Sequence, residues 1–405
     1  MKILYVTTVG ITMGFFKSLI RELLNRGDTV DIAANELNGE SIIPACYREW
    51  GCKVYPISCS RSPLNKRNIA AVGEIKRIVS DGNYDIVHCH TPVAATCTRI
   101  ACKELRKSGV KVIYTAHGFH FYKGAPIKNW LLYYPIEWLC AHWTDVLITI
   151  NREDFEIAKK HMHAKRVKYV PGVGIDVKKF TGIQVDRTAK HREIGVPKDA
   201  IILLSVGELN ENKNHAVIIK ALAKLNDKNI HYVIAGTGNQ KDELERLASS
   251  LGISNNVHLL GYRSDVFELY SIADVFAFPS IREGLPVAAM EAMAAGVPIV
   301  AANNRGTRDI FENGKSAIIC NHDDVDGFVS AIQEMISNHE KRRTYATANM
   351  LAVRRYDMTT IQPEMRDIYT GVFTDCSCRE RERERERERA SKGGATYPDC
   401  KGTTN

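Results

Sequence analysis

No apolar run reaches the roughly 18 residues that a membrane-spanning helix needs. The opening stretch, Met1-Lys-Ile-Leu-Tyr-Val-Thr-Thr8, is short and apolar and lacks a small-residue cleavage site. These two absences lead to the expectation of a chain that neither is exported nor spans a membrane. Any Cys-x-x-Cys pair is missing too. The eleven cysteines scatter from Cys46 to Cys400, an odd number that suits neither a disulfide framework nor a zinc site and fits reduced thiols of a cytoplasmic protein. An aromatic and basic module of the nucleic-acid-binding kind is also lacking, so no nucleic-acid partner is expected.

What is present is length and an uneven charge. The 405 residues, 44% of them hydrophobic, suffice for two ordinary domains, each with its own core. Net charge is +8, and residues 1–175 hold 24 Lys and Arg against 15 Asp and Glu, so the basic excess lies in the amino-terminal half. Its runs, Lys103/Arg106/Lys107 and Lys159/Lys160/Lys165/Arg166/Lys168, are either solvated helix faces or a surface for an anionic membrane or a phosphorylated acceptor.

Apolar segments recur with helical stretches between them: Ile3–Val6, Val30–Ala33, Val54–Ile57, Ile86–His90, Val112–Thr115, Val146–Ile150 and Val167–Val170. Between the first two, Phe15, Phe16, Leu19, Ile20, Leu23 and Leu24 form one face of an amphipathic helix that stops at Gly27. The pattern restarts beyond Pro171-Gly-Val-Gly174 with Ile201–Val206, His231–Ala235, Val257–Leu260, Val275–Phe278, Pro298–Ala301 and Ala317–Cys320. Such alternation predicts two doubly wound α/β domains, residues 1–174 and 175–375, facing across a cleft at the carboxyl ends of their strands. From Cys376 the composition changes, and Arg379 to Arg389 is a strict Arg/Glu alternation. Residues 376–405 are expected to be a low-complexity, disordered tail without a part in catalysis.

The densest chemistry lies in Pro279-Ser-Ile-Arg-Glu-Gly-Leu-Pro-Val-Ala-Ala-Met-Glu-Ala-Met-Ala-Ala-Gly-Val-Pro298. Glu283 is expected at a helix start and Glu291 on the same helical face, so that two carboxylates meet opposite ends of one elongated ligand. Free N–H groups and the positive dipole end at the helix start suit a diphosphate between them. Upstream, Ser205-Val-Gly-Glu-Leu-Asn-Glu-Asn-Lys-Asn-His215 reads as strand end, turn and helix start, with Lys213 placed to reach a diphosphate. Ala235-Gly-Thr-Gly238 offers a second glycine turn at Gly236, though a plain tight turn fits it equally well.

Together these segments resemble the glycosyltransferase family 4 type of retaining sugar-nucleotide transferases, with its Glu-x7-Glu element, over roughly residues 1–370. The resemblance implies the two-Rossmann GT-B fold, with a closing helix near Thr360–Tyr369 that crosses back to the first domain. It further implies that Gly207 and Lys213 bind donor phosphates and that backbone near Tyr262 and Arg263 lines the base. Glu283 and the N–H groups of Gly284, Leu285, Pro286 and Val287 (proline contributing only its place in the turn) surround the sugar and distal phosphate, and Glu291 takes the ribose hydroxyls. The usual arginine near Gly207 is replaced by Glu208, leaving Arg282 or Arg305 as a second cation. In the first domain, Thr115-Ala-His-Gly-Phe-His-Phe-Tyr-Lys-Gly-Ala-Pro126 is similar to the capsular and exopolysaccharide branch. It sets His117 beside the reacting sugar, with His120, Tyr122 and Lys123 on the acceptor side and Gly10 and Gly14 at the first strand-helix turn.

The implied activity is transfer of a hexosyl residue, with retention, from a nucleoside diphosphate sugar to a lipid-linked saccharide in cell-surface polysaccharide assembly. UDP is the expected nucleotide, with GDP open, and neither metal nor other cofactor is expected. Peripheral contact with the inner face of the membrane fits the basic half. An epimerase or phosphorylase of the same architecture, and a non-catalytic nucleotide-sugar sensor, are the rival readings. His88 and His90 alternate onto one strand face but lack a third metal ligand, and Asp324-Val-Asp326 suits a helix cap better than a metal pair.

Overall fold

The computed structural model describes residues 1–36 and 43–374; the tail expected to be disordered lies outside them. Thirteen strands form two parallel sheets. The first holds β1 (Lys2–Val9), β2 (Thr29–Asn35), β3 (Val54–Pro56), β4 (Ile86–His90), β5 (Lys111–Ala116), β6 (Val146–Thr149) and β7 (Arg166–Tyr169) in the order β3-β2-β1-β4-β5-β6-β7. The second holds β8 (Ile201–Val206), β9 (Ile230–Ala235), β10 (Val257–Gly261), β11 (Val275–Phe278), β12 (Ile299–Ala302) and β13 (Ala317–Cys320) in the order β10-β9-β8-β11-β12-β13. Helices cover both faces, so the central strands are buried on both sides and are mostly Val, Ile, Leu and Ala, with buried polar exceptions such as Asp31, His88 and His90. In each sheet the winding reverses beside the first strand, between β1 and β4 and between β8 and β11, and these are the crevices where open α/β sheets bind ligands.

The helix expected to start near Phe15 begins at Lys17 and ends at Asn25. Residues Gly10–Phe16 form a 3-10 turn instead. Its tighter winding turns Phe15 outward, 56% exposed, while Phe16, Leu19, Ile20 and Leu23 stay buried. Asp324 caps helix Val325–Ser337 by accepting from the Gly327 N–H at 2.8 Å.

After β13 the chain returns to the first lobe. Ile175 N–H donates to the Tyr356 carbonyl at 2.9 Å, and Met358 N–H to the Ile175 carbonyl at 2.9 Å, which stitches together the two crossing segments. A helix over 358–374 follows, and its Ile361, Met365, Ile368, Tyr369 and Val372 pack into the core around Ile3, Tyr5 and Ile20. The eight cysteines among the described residues are all unpaired, and among those residues no helix is long and apolar enough to cross a membrane.

Candidate active site between the two sheets

In the second lobe, β8 and β9 end in glycines for a steric reason. A Cβ on Gly236 would stand 1.8 Å from the Gly207 carbonyl oxygen, so only glycine lets the two strand ends approach this closely. Gly236 N–H donates to the Gly261 carbonyl at 2.8 Å, which draws the end of β10 into the same floor. The Lys213 side chain crosses Gly207, and its Nζ meets Glu283 Oε1 at 2.7 Å. The ammonium is thus carried from the β8 turn to the loop after β11, over the switch point of this sheet.

Glu283 does not begin the helix. Helix Val287–Ala294 is capped by Pro286, so Glu283 hangs from the preceding loop and Glu291 lies about one turn into the helix. The loop is held from both sides. A Cβ on Gly284 would come within 2.1 Å of the His117 carbonyl, and Leu285 is buried against Gly172. Tyr270 Oη lies 3.1 Å from Glu291 Oε2 and 2.9 Å from the Ala288 carbonyl. Burial raises the Glu291 pKa from 4.5 to about 7, against the opposing pull of the Tyr270 hydroxyl and the Lys179 charge. Val287 is half-buried on the second core, whereas Tyr262 is 81% exposed at the margin of the site. Arg263 is engaged with Asp265 and Glu193, leaving the backbone rather than its guanidinium toward the β10 end.

Across the cleft, His117 follows β5 and keeps its ring open to the cleft, while the surrounding walls lower its pKa to about 4, so that it is neutral at physiological pH. Its Nε2 stands 3.1 Å from His90 Nδ1. His88 bonds Tyr369 and Thr115, and the His88 and His90 rings lie 4.1 Å apart. The two strand histidines therefore lie in tilted ring contact, His90 bonded to His117 and His88 bonded to Tyr369 and Thr115 behind it. No group of three or more His, Cys, Asp or Glu suited to a metal occurs among the described residues. His120 stacks on Tyr133 at 4.4 Å, and its pKa is lowered by burial and by the nearby Arg282 and Arg305. Gly10 is buried and Gly14 open on the 3-10 turn. Lys123 is exposed, its N–H donating to Glu153 at 2.9 Å.

Arg305 is not a spare phosphate cation. It is buried, with Nη1 on Asp154 at 2.7 Å, Nη2 on the Phe119 carbonyl at 2.9 Å, Nε on the Glu283 carbonyl at 3.3 Å and its plane over Tyr122 at 4.7 Å. It joins the lobes through Asp154, a residue the sequence pattern did not single out. Thr91 is another such residue. It holds φ +63° and ψ 141°, strained for a β-branched side chain, and its Oγ1 meets Thr8 Oγ1 at 2.7 Å, closing the β1/β4 crevice. Arg282 is exposed, and its carbonyl accepts from Asn212.

Two Rossmann-like sheets with facing switch points form the GT-B architecture of glycosyltransferases. Residues 15–179 match Glycosyltransferase Family 4 and residues 186–350 match Glycosyl transferases group 1. The chain is 36% identical to the putative glycosyltransferase EpsD of Bacillus subtilis over 385 residues, covering 94% of this chain and 98% of that one. It is 26% identical to the UDP-Gal:alpha-D-GlcNAc-diphosphoundecaprenol alpha-1,3-galactosyltransferase of Escherichia coli, covering 76% of this chain and 82% of the relative. Its fold matches that of HepE from Anabaena, solved in complex with UDP, with a TM-score of 0.77 at 20% identity over 92% of this chain and 100% of that one. The chain belongs to the family 4 glycosyltransferases.

Proposed function

We propose that the protein transfers a hexosyl residue, with retention of configuration, from a UDP-sugar to a saccharide carried on a lipid diphosphate, as a step in cell-surface polysaccharide assembly. The observation that carries this reading is the Lys213–Glu283 pair held over the switch crevice of the second sheet, opposite His117. Lys213 and the N–H groups leading into helix Val287–Ala294 stabilise the departing diphosphate, so its charge is met without a metal ion. Gly207 and Gly236 give the donor's phosphates close backbone approach, and backbone near Tyr262 and Arg263 lines the base. Glu291 takes the ribose hydroxyls, and Glu283 takes a hydroxyl of the donor sugar once Lys213 turns to the phosphates. His117, neutral and open to the cleft, lies beside the reacting carbon. His120 and Tyr122 flank the acceptor, with Gly10, Gly14 and Lys123 around its entrance. A leaving phosphate oxygen accepts the acceptor's proton on the face where the new bond forms, so no carboxylate attacks the sugar.

The experiment is a panel of UDP- and GDP-sugars offered with a diphosphate-linked saccharide, in the presence and absence of EDTA. The expected outcome is one UDP-sugar that raises the melting temperature and yields an α-linked product unaffected by chelation. Donor binding with neither hydrolysis nor transfer would instead identify a sensor. An inverted product would remove the same-face mechanism.

A further inference from the structure

The first lobe carries a groove that the donor site leaves unused. It has a volume of about 340 Å³, within the roughly 300–1,000 Å³ range of small-ligand sites. Helix Arg67–Gly82 forms one wall, helix Pro92–Cys102 the floor and helix Ile127–Ala141 the other wall, with Leu64, Ile69, Val72, Val93, Ile100 and Ile136 lining it. Leu64 and Ile69 are 84% and 77% exposed at the rim, an arrangement that water disfavours unless a partner covers it. The carboxylate that reaches the groove, Glu137, is neutralised from below by buried Arg99 at 2.8 Å. The groove therefore presents mostly apolar walls, with Lys66 the exposed charge at its rim.

It does not end blindly. A second chamber of about 210 Å³ adjoins it and shares Pro63, Pro92, Val93 and Tyr133. That chamber is polar at its far side, where Thr8, Thr91, Arg61 and His120 stand at the carboxyl ends of β1 and β4, on the His117 side of the cleft. The apolar trough and the polar chamber with its exposed Arg61 are thus neighbours across these shared residues, the chamber lying toward the first switch crevice. A free sugar has no use for the trough, and a peptide would leave its backbone groups unpaired there. A linear apolar chain with an anionic head matches both ends.

We propose that this trough binds the proximal part of an isoprenoid chain, with its diphosphate at Arg61 and its saccharide directed toward His117. This inference rests on the lipid-diphosphate acceptor reading above and assigns that acceptor a place.

The test uses the full chain and a geranylgeranyl diphosphate carrying a diazirine on its distal isoprene unit. Irradiation followed by peptide mapping is expected to label residues within 63–72, 92–100 or 131–137, saturably and in competition with unlabelled polyprenyl diphosphate. The double variant Ile69→Glu/Ile100→Glu, at two positions open to solvent, is expected to lose labelling by about tenfold or more while keeping the melting shift given by a UDP-sugar. Labelling that falls elsewhere, or that survives in the double variant, overturns the proposal. So does a variant that loses only binding to phosphatidylglycerol vesicles, since the trough would then be a membrane contact. If the trough labels as expected but no diphosphate-linked saccharide is ever glycosylated, the acceptor reading fails and the isoprenoid site stands.

Discussion

Glu291 links donor binding to pH in a way that can be calculated. Its carboxyl has a pKa near 7 because burial penalises the charge, while the unfolded chain's value is 4.5. In the proposed role, ribose hydroxyls donate to the ionised form, so donor binding near neutrality is expected to expel a proton. With a pKa of 7, the ionised fraction rises from about one tenth at pH 6 to about nine tenths at pH 8. If only that form binds, affinity increases about tenfold over this interval, equivalent to about 1.4 kcal/mol. Stability runs the other way. Between pH 4.5 and 7 the folded state holds more protons than the unfolded one, so unfolding free energy falls as pH rises through this window, by up to about 3 kcal/mol. Calorimetry with a UDP-sugar is the suitable assay, because its diphosphate diester does not titrate here, and two buffers of different ionisation enthalpy count the protons released. Glu291→Gln is expected to flatten the pH dependence and to weaken binding at pH 8 by about 1.5–3 kcal/mol, the worth of a hydrogen bond to a charged group. An affinity constant from pH 6 to 8, or the same slope in the Gln variant, would refute the reasoning.

Tyr270→Phe removes the hydroxyl that favours Glu291 ionisation, and should move the midpoint of that pH dependence upward, as read by the same titration. Lys213→Ala should lower kcat by about a hundredfold or more through loss of leaving-group stabilisation, with the circular dichroism spectrum unchanged; full turnover would exclude the lysine from the chemistry. Arg305→Ala leaves Asp154 buried without its cation and should cost about 3–5 kcal/mol in urea unfolding. Gly284→Ala brings a Cβ to 2.1 Å from the His117 carbonyl, so small-angle scattering should show the lobes further apart and transfer should fall, while each lobe remains folded.

Most strands were legible because parallel strands buried on both faces are written as largely apolar runs, whereas β4 carries His88 and His90 and edge strand β7 is only partly buried. Phe15 misleads for a local reason: helical spacing assigns it to the core, but the 3-10 turn before Lys17 rotates it outward. The Glu-x7-Glu spacing was visible, yet its geometry was not, because the helix starts only after Pro286 and the close approach of Gly284 to the His117 carbonyl fixes the loop before it. Tyr270 and His90 act on Glu291 and His117 from neighbouring elements, and no spacing rule connects such pairs. Arg305 and Asp154 stand 151 positions apart, and only the packing of one lobe on the other makes them partners.

Arg305 explains how a site with a glutamate at position 208 still behaves as one unit. Its guanidinium binds the Glu283 carbonyl on its own lobe and Asp154 and the Phe119 carbonyl on the other, so opening the cleft would strand one buried charge on each side. The cost of unpaired buried ions favours the closed state before any donor arrives. Lys213 holds the side chain of the same Glu283 whose carbonyl Arg305 binds, so the two cations grip different atoms of one residue. The arginine that remains near the site thus ties the Glu283 loop to the other lobe instead of standing free as a second cation.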